Sequence, residues 1–368
     1  MKIKNILITI CVVFLTFLLG ITSTLYIIDK YPNLFKETIT KLEKDVTITE
    51  TGISESVDKV YDSVVVISNY KRDTLYSQGS GFIYNISDDD SYIITNNHVI
   101  EGGTEFKITY TDGEVLDAQL LGSDEYSDIA VLKVKTKEGY NNVQIGDTSK
   151  LKIGDTTFTV GAPLDNVYSW TVTRGIISGK ERLVEISTSS SYSNDYVMNV
   201  LQTDAAVNSG NSGGPLCNSN GEVIGVISLK ISSTGVEGMG FAIPIEVAIE
   251  KTEQIINGKS SEYPYLGISM LNVSEIRSYP RYYGYLGETD LTSGVMIVDI
   301  ENNSSAANSN LKQGDIIIKI NDSDISNIAY LRYELYKHKV GDTITITYER
   351  DGKEQKTEVK LLSNNKTI

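Results

Sequence analysis

The longest apolar run of the chain lies at its N-terminus. Residues 6–28 carry no charged side chain, and Lys2 and Lys4 precede them. A helix of this length can cross the roughly 30 Å hydrocarbon core of a bilayer, and lysines before it favour a cytoplasmic N-terminus. We therefore expect residues 1–30 to form a cytoplasmic tip and a single transmembrane signal anchor, with the rest of the chain outside the cytoplasm. The alternative is a cleaved signal peptide, but a good small-residue cleavage site is missing.

The pattern changes twice after this run. Residues 31–55 are polar and charged and predict a stalk or linker, whereas residues 56–258 contain short runs rich in Val, Ile, Thr and Tyr, separated by turn residues. Many short strands at this spacing are typical of an antiparallel barrel or sandwich. A helical pattern over Ile245–Asn257 then ends before Gly258. Examples of the predicted strands are Val64–Ser68, Gly81–Tyr84, Tyr92–Thr95, Phe106–Tyr110, Ile129–Val134, Thr156–Val160, Val172–Ser178 and Val223–Leu229.

Residues 262–364 form a second predicted domain, in which strands and a helix are mixed. The stretch Tyr279–Tyr285 is a tyrosine-rich insert, which indicates either a surface loop packed by its own rings or a patch that binds a partner. The predicted elements are strands at Leu266–Met270, Val295–Ile300, Ile316–Ile320 and Thr343–Glu349, and a helix at Ile328–His338.

Composition narrows the classes of function. A chain of 368 residues suits two soluble domains with additional segments, and its net charge of −15 argues against nucleic-acid binding. Cys11 lies in the apolar N-terminal run, far from Cys217, so we expect neither a disulfide framework nor a Cys/His metal cluster. No metal and no cofactor is predicted.

The most informative motif is the glycine-rich stretch Gly210-Asn211-Ser212-Gly213-Gly214-Pro215. A nucleophilic serine needs backbone N–H groups that converge on the developing oxyanion, and glycines allow the chain to turn in that way. In a chymotrypsin-type arrangement the donors are the serine and the residue two before it. We therefore predict Ser212 as the nucleophile and the Gly210–Ser212 segment, which includes Asn211, as the oxyanion hole. An ordinary tight turn is the alternative.

The same letters fit the G-x-S-x-G elbow of α/β-hydrolases. That fold needs a helix directly after the serine and a histidine later in the chain. Here Ser212 is followed by Pro215, an Asn-Gly turn and the strand Val223–Leu229, and the later histidine, His338, lies in the second domain. The elbow interpretation therefore fails.

His98 is the histidine available to the first domain, at the end of an apolar strand. A serine hydroxyl needs a base to remove its proton, and an imidazole titrates in the useful pH range. A lone histidine at a strand end is more often structural, but the nucleophile loop downstream favours the base.

The third member of a triad is a buried carboxylate that orients the imidazole. Asp128 directly precedes the apolar strand Ile129–Val134 and is the candidate we favour. The order His98, Asp128, Ser212 is that of chymotrypsin-like enzymes. The rival carboxylates are Asp112, which belongs to a turn, and Asp117 and Asp124, which lie in more polar surroundings.

The chain resembles the HtrA (Deg) family of serine proteases from about Val57 to its C-terminus. The resemblance implies a mostly β fold: a chymotrypsin-like double β-barrel with the triad between its barrels, followed by an α+β PDZ domain. It also implies ATP-independent cleavage of misfolded or regulatory exported proteins, a trimeric assembly and a role in quality control. A catalytically weak PDZ scaffold or holdase chaperone at the membrane is the alternative. The motifs that carry the resemblance are TNNHV (95–99), SDIAVL (127–132), TVTRGIIS (171–178), QTDAAVNSGNSGGPL (202–216) and GMGFAIP (238–244).

Specificity and control are suggested by residues near Ser212. Trypsin-like enzymes have an aspartate six positions before the serine, where this chain has Ala206, followed by Val207. With Leu229 these residues predict a primary pocket for a small aliphatic side chain.

Asn211 stands where trypsin-like zymogens need an aspartate, so we expect control by mobile loops, such as residues 180–196 and 229–238, and not by a new N-terminus.

The second domain contains a candidate peptide-binding groove. Tyr265, Leu266, Gly267 and Ile268 resemble the carboxylate-binding loop of PDZ domains, and the strand that follows could pair with the C-terminal segment of an unfolded or exported protein. The resemblance places Leu331 and Leu335 on the groove helix, although both could equally be core residues. Residues 304–310 lack the proline and alanine-glycine common in the family. The loop over residues 68–78 is short, which favours a homotrimer over a larger cage.

Overall fold

A computed structural model describes residues 2–31, 52–162, 169–186, 196–228, 238–259, 262–276, 284 and 289–363. The chain divides into two compact units, Met1–Gly52 and Ile53–Ile368. The first unit contains helix α1 (Lys2–Lys30), whose segment Ile10–Lys30 is long and apolar enough to cross a membrane, with a mean hydropathy of 2.3. Such a helix fits a membrane anchor or a signal sequence.

The second unit begins with helix α2 (Ser54–Tyr61), followed by a closed barrel of antiparallel strands in the order β1-β2-β3-β6-β5-β4. Alternate residues such as Ile67, Ile93 and Leu132 fill its interior. A short helix, α3 (Asn97–Ile100), directly follows β3. The strands are β1 (Val64–Lys71), β2 (Thr74–Ile86), β3 (Asp90–Thr95), β4 (Glu105–Thr109), β5 (Val115–Asp124) and β6 (Ile129–Lys135).

A second sheet has the strand order β11-β8-β9-β10-β13-β12-β7, and an additional pairing between β11 and β12 closes it into a ring. Helix α4 (Ile245–Ile256) confirms the predicted helix and packs against β5 and β6 of the first barrel and β12 and β13 of the second. The strands are β7 (Gln144–Ile145), β8 (Thr156–Gly161), β9 (Thr171–Ile186), β10 (Tyr196–Thr203), β11 (Pro215–Asn218), β12 (Glu222–Ile227) and β13 (Gly240–Pro244).

The C-terminal part is a smaller α+β domain with its own apolar core. Its main sheet has the order β15-β16-β17-β19-β20, which leaves β15 at an edge. Apart from Gly284, the tyrosine-rich insert lies outside the described residues. The elements are β14 (Pro264–Tyr265), β15 (Ile268–Asn272), α5 (Val273–Ile276), β16 (Val295–Ile300), β17 (Ile316–Ile320), β18 (Ser323–Asp324), α6 (Ile328–Leu335), β19 (Thr343–Arg350), β20 (Lys353–Lys360) and β21 (Leu362–Ser363). Double barrel, small α+β domain and apolar N-terminal helix together confirm the predicted fold class.

Candidate active site

The side chains of Asp128 and His98 contact each other in the first barrel. Asp128 is fully buried, and its Oδ2 lies 2.8 Å from the His98 Nδ1 atom. Its Oδ1 accepts the backbone N–H of His98 at 3.0 Å, and the Ser228 hydroxyl donates to Oδ2 at 2.8 Å. Because an ionised carboxylate can only accept, Nδ1 must carry the imidazole proton. The Nε2 atom is then unprotonated and can act as a base.

The backbone also holds this pair together. The Asp128 carbonyl accepts the Asn96 side-chain amide at 2.9 Å and the Asn97 backbone N–H at 3.2 Å. These bonds connect the end of the β5–β6 hairpin to the first residues of α3, which carries His98. The side chain of His98 stays 24% exposed while that of Asp128 is 0% exposed. The imidazole can therefore meet a substrate, whereas the carboxylate cannot.

The Ser212 loop reaches the same region through close backbone contacts. The Ser212 carbonyl accepts the Ser80 N–H at 2.8 Å. A Cβ at Gly79 would lie 3.1 Å from that Ser212 oxygen and 2.7 Å from Val99 Cγ2. Since Val99 directly follows His98, the nucleophile loop and the histidine segment meet at this glycine. All three predicted triad residues thus lie at the junction of the two barrels.

Gly213 shows why the loop needs its glycines. Its φ is +83°, and a Cβ there would lie 2.2 Å from the Ser80 carbonyl oxygen and 2.3 Å from Thr95 Oγ1. Both the conformation and the space exclude a side chain. The Gly213 N–H donates to the Ile227 carbonyl at 2.8 Å, which ties the loop to β12.

The three N–H groups predicted for the oxyanion hole differ in their surroundings. The Asn211 N–H donates to the Asn208 carbonyl at 3.0 Å, so in this structure it stabilises the turn and is already used as a donor. Gly210 adopts a left-handed φ of +103°, and its carbonyl accepts the Ser80 hydroxyl at 2.7 Å. This arrangement favours Gly210 and Ser212 as the donor pair.

The residues predicted for the primary pocket lie beside this loop. Ala206 is exposed, and its carbonyl accepts the Thr173 hydroxyl at 2.8 Å. Val207 is half-buried against the second-barrel core, and a Cβ at Gly240 would lie 2.8 Å from its Cγ2 atom. Leu229 lies outside the described residues.

The predicted PDZ residues fall into two groups. Gly267 has a φ of +72°, and a Cβ there would lie 2.1 Å from Ser304 Cβ, so the loop requires glycine. Half-buried Ile268 opens the edge strand β15, and Tyr265 of β14 pairs with Leu362 of β21. The second group is buried in the domain core, which is the alternative that the sequence left open for the last two of its residues: Leu266, Leu331 and Leu335.

The rival aspartates have other surroundings. Asp112 and Asp117 are exposed. Asp124 is only 4% exposed, so it is a buried carboxylate, although its surroundings are polar as expected. Its carboxylate accepts from Ser127 and Tyr263 and not from His98. Asp128 is thus the carboxylate that contacts the imidazole.

Two serines in this site were missed by the sequence analysis. Ser228 donates to Asp128 across 100 positions of the chain. Ser80 bridges the two barrels, because its hydroxyl donates to Gly210 and accepts the Ala162 N–H at 3.0 Å. Neither lies in a motif with its partner, so no local signal marks it. Among the described residues, no three His, Cys, Asp or Glu side chains come together to hold a metal ion.

Comparison with known proteins agrees with this geometry. The family described as "Trypsin-like peptidase domain" matches residues 79–226, and "PDZ domain" matches residues 264–361. The chain is 41% identical over 299 residues to serine protease Do-like HtrA of Bacillus subtilis, an alignment that spans 80% of this chain but only 65% of that relative. It is 35% identical over 341 residues to Do-like HtrA of Lactococcus lactis subsp. lactis, which covers 84% of this chain and 83% of the relative.

Solved structures give the same result. The serine endoprotease from Yersinia pestis superposes with a TM-score of 0.63 at 28% identity, over 86% of this chain and 100% of that one. The HtrA-type protease AlgW with decapeptide superposes with a TM-score of 0.64 at 26% identity, over 85% of this chain and 99% of that one. The resemblance read from the motifs is therefore confirmed. The chain belongs to the HtrA (Do-like) family of serine proteases, with a trypsin-like peptidase domain followed by a PDZ domain.

Proposed function

We propose that this chain is an ATP-independent endopeptidase that cleaves misfolded or regulatory exported proteins. In this proposal residues 56–258 are the protease domain, residues 262–364 are the peptide-binding domain, and the N-terminal helix is an uncleaved anchor with a cytoplasmic N-terminus. The observation that carries it is the 2.8 Å contact of His98 Nδ1 with the buried Asp128 carboxylate, beside the Ser212 loop. These intact groups disfavour the alternative of a catalytically weak scaffold or chaperone.

The arrangement supports acyl transfer in two steps. His98 Nε2 takes the proton of the Ser212 hydroxyl as the serine oxygen attacks the peptide carbonyl, and Asp128 stabilises the imidazolium that forms. The N–H groups of Gly210 and Ser212 would receive the oxyanion. His98 then protonates the leaving amine, and an activated water hydrolyses the acyl-enzyme by the same route in reverse.

Substrate selection is proposed to use both domains. Ala206 and Val207, with Leu229, would line a pocket for a small aliphatic side chain, because no acidic side chain stands at the Ala206 position. In the second domain, β15 is an edge strand that could accept a peptide by β-augmentation, with Gly267 near the peptide carboxylate. One solved relative is the HtrA-type protease AlgW with decapeptide, which supports peptide binding by this chain. A homotrimer is the assembly we propose.

The test uses the full chain in detergent and an unfolded protein, β-casein. We expect the wild type to cleave it and Ser212→Ala to leave it intact with unchanged thermal unfolding. A fluorophosphonate should label the wild type at Ser212 and should not label the variant. Cleavage that persists in Ser212→Ala would refute the assignment of the nucleophile, and a wild type that neither cleaves nor labels would refute the protease proposal.

A further inference from the structure

The loop that carries Asp128 is short and strained. Asp124, the last residue of β5, pairs with Ile129, the first residue of β6, so only residues 125–128 connect the two strands. Asp128 has a φ of +53°, a left-handed conformation that few residues other than glycine adopt, although aspartate tolerates it better than most. A residue in this conformation persists only where its surroundings hold it.

Asp124 holds this loop from its other end. Its Oδ1 accepts the Ser127 backbone N–H at 2.7 Å and the Ser127 hydroxyl at 2.9 Å. Because Ser127 directly precedes Asp128, these bonds hold the backbone on the N-terminal side of Asp128. The Asp124 carboxylate is almost fully buried, and such a group requires several donors.

The remaining close donor comes from outside the barrels. The hydroxyl of Tyr263, which directly precedes β14 at the start of the C-terminal domain, lies 2.9 Å from Asp124 Oδ1 and 2.8 Å from Oδ2. Burial, followed by the negative charge of Asp124, raises the pKa of Tyr263 above its usual range, so the hydroxyl keeps its proton and donates. Lys251 contributes less, since its Nζ is 4.0 Å from Oδ2.

Aromatic rings support the middle of the same loop. The ring of Tyr126 lies 4.9 Å from that of Tyr263 and 4.9 Å from that of Tyr336, both in edge contact. Tyr336 caps the C-terminus of α6, so it belongs to the PDZ domain. The loop therefore contacts the C-terminal domain at two places, Tyr263 and Tyr336, through a residue only two positions from Asp128.

We infer that Asp124 and Tyr263 are positioning residues for the Asp128 carboxylate, and that Tyr336 extends this support into the PDZ domain. The inference rests on the proposed function. A displacement of about 1 Å in a catalytic group can cost on the order of 100-fold in rate. Loss of the Tyr263 hydroxyl leaves the Asp124 carboxylate with too few hydrogen-bond donors. The loop over residues 125–128 then shifts, and the 2.8 Å contact between Asp128 and His98 is lost.

The chain offers a matched control for this hydroxyl. Tyr84, on β2, donates at 2.7 Å to the carboxylate of Glu253, on α4, which is the same type of bond but involves no residue of the 124–128 segment. Comparison of Tyr263→Phe with Tyr84→Phe in the full chain separates positioning from general stability. Both changes remove one oxygen and keep the ring.

We expect Tyr263→Phe to lower kcat for β-casein by roughly tenfold with KM within about twofold of wild type, because one hydrogen bond to a charged group is lost away from the substrate. Labelling of Ser212 by a fluorophosphonate should slow by the same factor. Tyr84→Phe should keep wild-type kcat. Asp124→Asn, which keeps an oxygen for Ser127, should retain more activity than Asp124→Ala, and Tyr336→Leu should reduce kcat less than Tyr263→Phe.

Several outcomes overturn the inference. If the wild type cleaves, Ser212→Ala does not, and Tyr263→Phe keeps full kcat, the positioning role is wrong while the proposed function stands. If Tyr84→Phe loses as much kcat as Tyr263→Phe, the effect is general destabilisation and the inference also fails. A change in KM alone would assign Tyr263 to substrate binding instead. Failure of the wild type to cleave or label removes the proposed function, and this inference with it.

Discussion

Replacement of Asp128 by asparagine tests the proposed site most sharply, because the structure dictates how the amide must sit. The His98 backbone N–H is a fixed donor to Oδ1 at 3.0 Å. The asparagine oxygen must occupy that position, which leaves the NH₂ group at the Oδ2 position, 2.8 Å from both His98 Nδ1 and the Ser228 hydroxyl. The asparagine oxygen still lies 3.0 Å from Nδ1, but the NH₂ group is nearer, at 2.8 Å, and can only donate, so we expect the imidazole proton to move to Nε2. His98 can no longer take the proton of Ser212.

The expected magnitudes differ between activity and stability. For a triad in the wrong tautomer, kcat falls about 10⁴-fold, which corresponds to about 5.5 kcal/mol in the barrier. Hydrogen bonds at the site are weakened but kept in number, so the free energy of unfolding should change by less than about 2 kcal/mol. The structure thus predicts an almost inactive protein that still folds.

The assay combines kcat on β-casein with thermal unfolding of the full chain. Asp117→Asn is the matched control, since Asp117 is an exposed aspartate of the same barrel, and it should behave as wild type. An Asp128→Asn variant with kcat within tenfold of wild type would falsify the argument from the fixed backbone donor. An equal loss in Asp117→Asn would show that the effect is not specific to the carboxylate beside His98.

Three further predictions concern stability and reactivity. Gly213→Ala should destabilise the protein by about 3 kcal/mol or more, because the left-handed conformation and the close backbone contact both oppose a Cβ. Gly154→Ala should cost only about 1 kcal/mol, because Gly154 has a φ of +96° but nothing within 4 Å of its Cβ position. Denaturant unfolding measures both losses. Cys217 is fully buried and burial raises the pKa of its thiol, so Ellman's reagent at pH near 8 should not react with it until the protein unfolds. Arg350→Met should destabilise the PDZ domain by about 3 kcal/mol, because it strips the buried Asp315 carboxylate of its guanidinium bonds.

Each of these has a contradicting result. Equal losses for Gly213→Ala and Gly154→Ala would show that contact with the barrel is unimportant. Prompt labelling of native Cys217 would contradict its burial. For Arg350→Met the control is Lys319→Met, which breaks an exposed ion pair at 2.9 Å and should have little effect; similar losses in both variants would refute the argument from burial.

The sequence by itself determined those features that depend on neighbours along the chain. Short apolar runs predicted strands in both barrels and in the C-terminal domain, and the glycines around Ser212 predicted its turn, since both signals are local. The strand Val115–Asp124 was not among the predicted strands, because its apolar residues are at most half-buried and polar residues interrupt them. The helical pattern over Ile245–Asn257 was confirmed to within one residue, because its apolar face is continuous and Gly258 follows it.

The tertiary structure decided which groups meet. Four aspartates were candidates from the sequence, and only packing of the β5–β6 hairpin against α3 brings Asp128 to His98 and turns Asp124 towards Tyr263. Ser228 reaches Asp128 from another barrel, and Leu331 and Leu335 enter the core instead of an open groove. Local sequence encodes periodicity and turn geometry, whereas contacts between distant segments follow from how closed barrels and helices pack together.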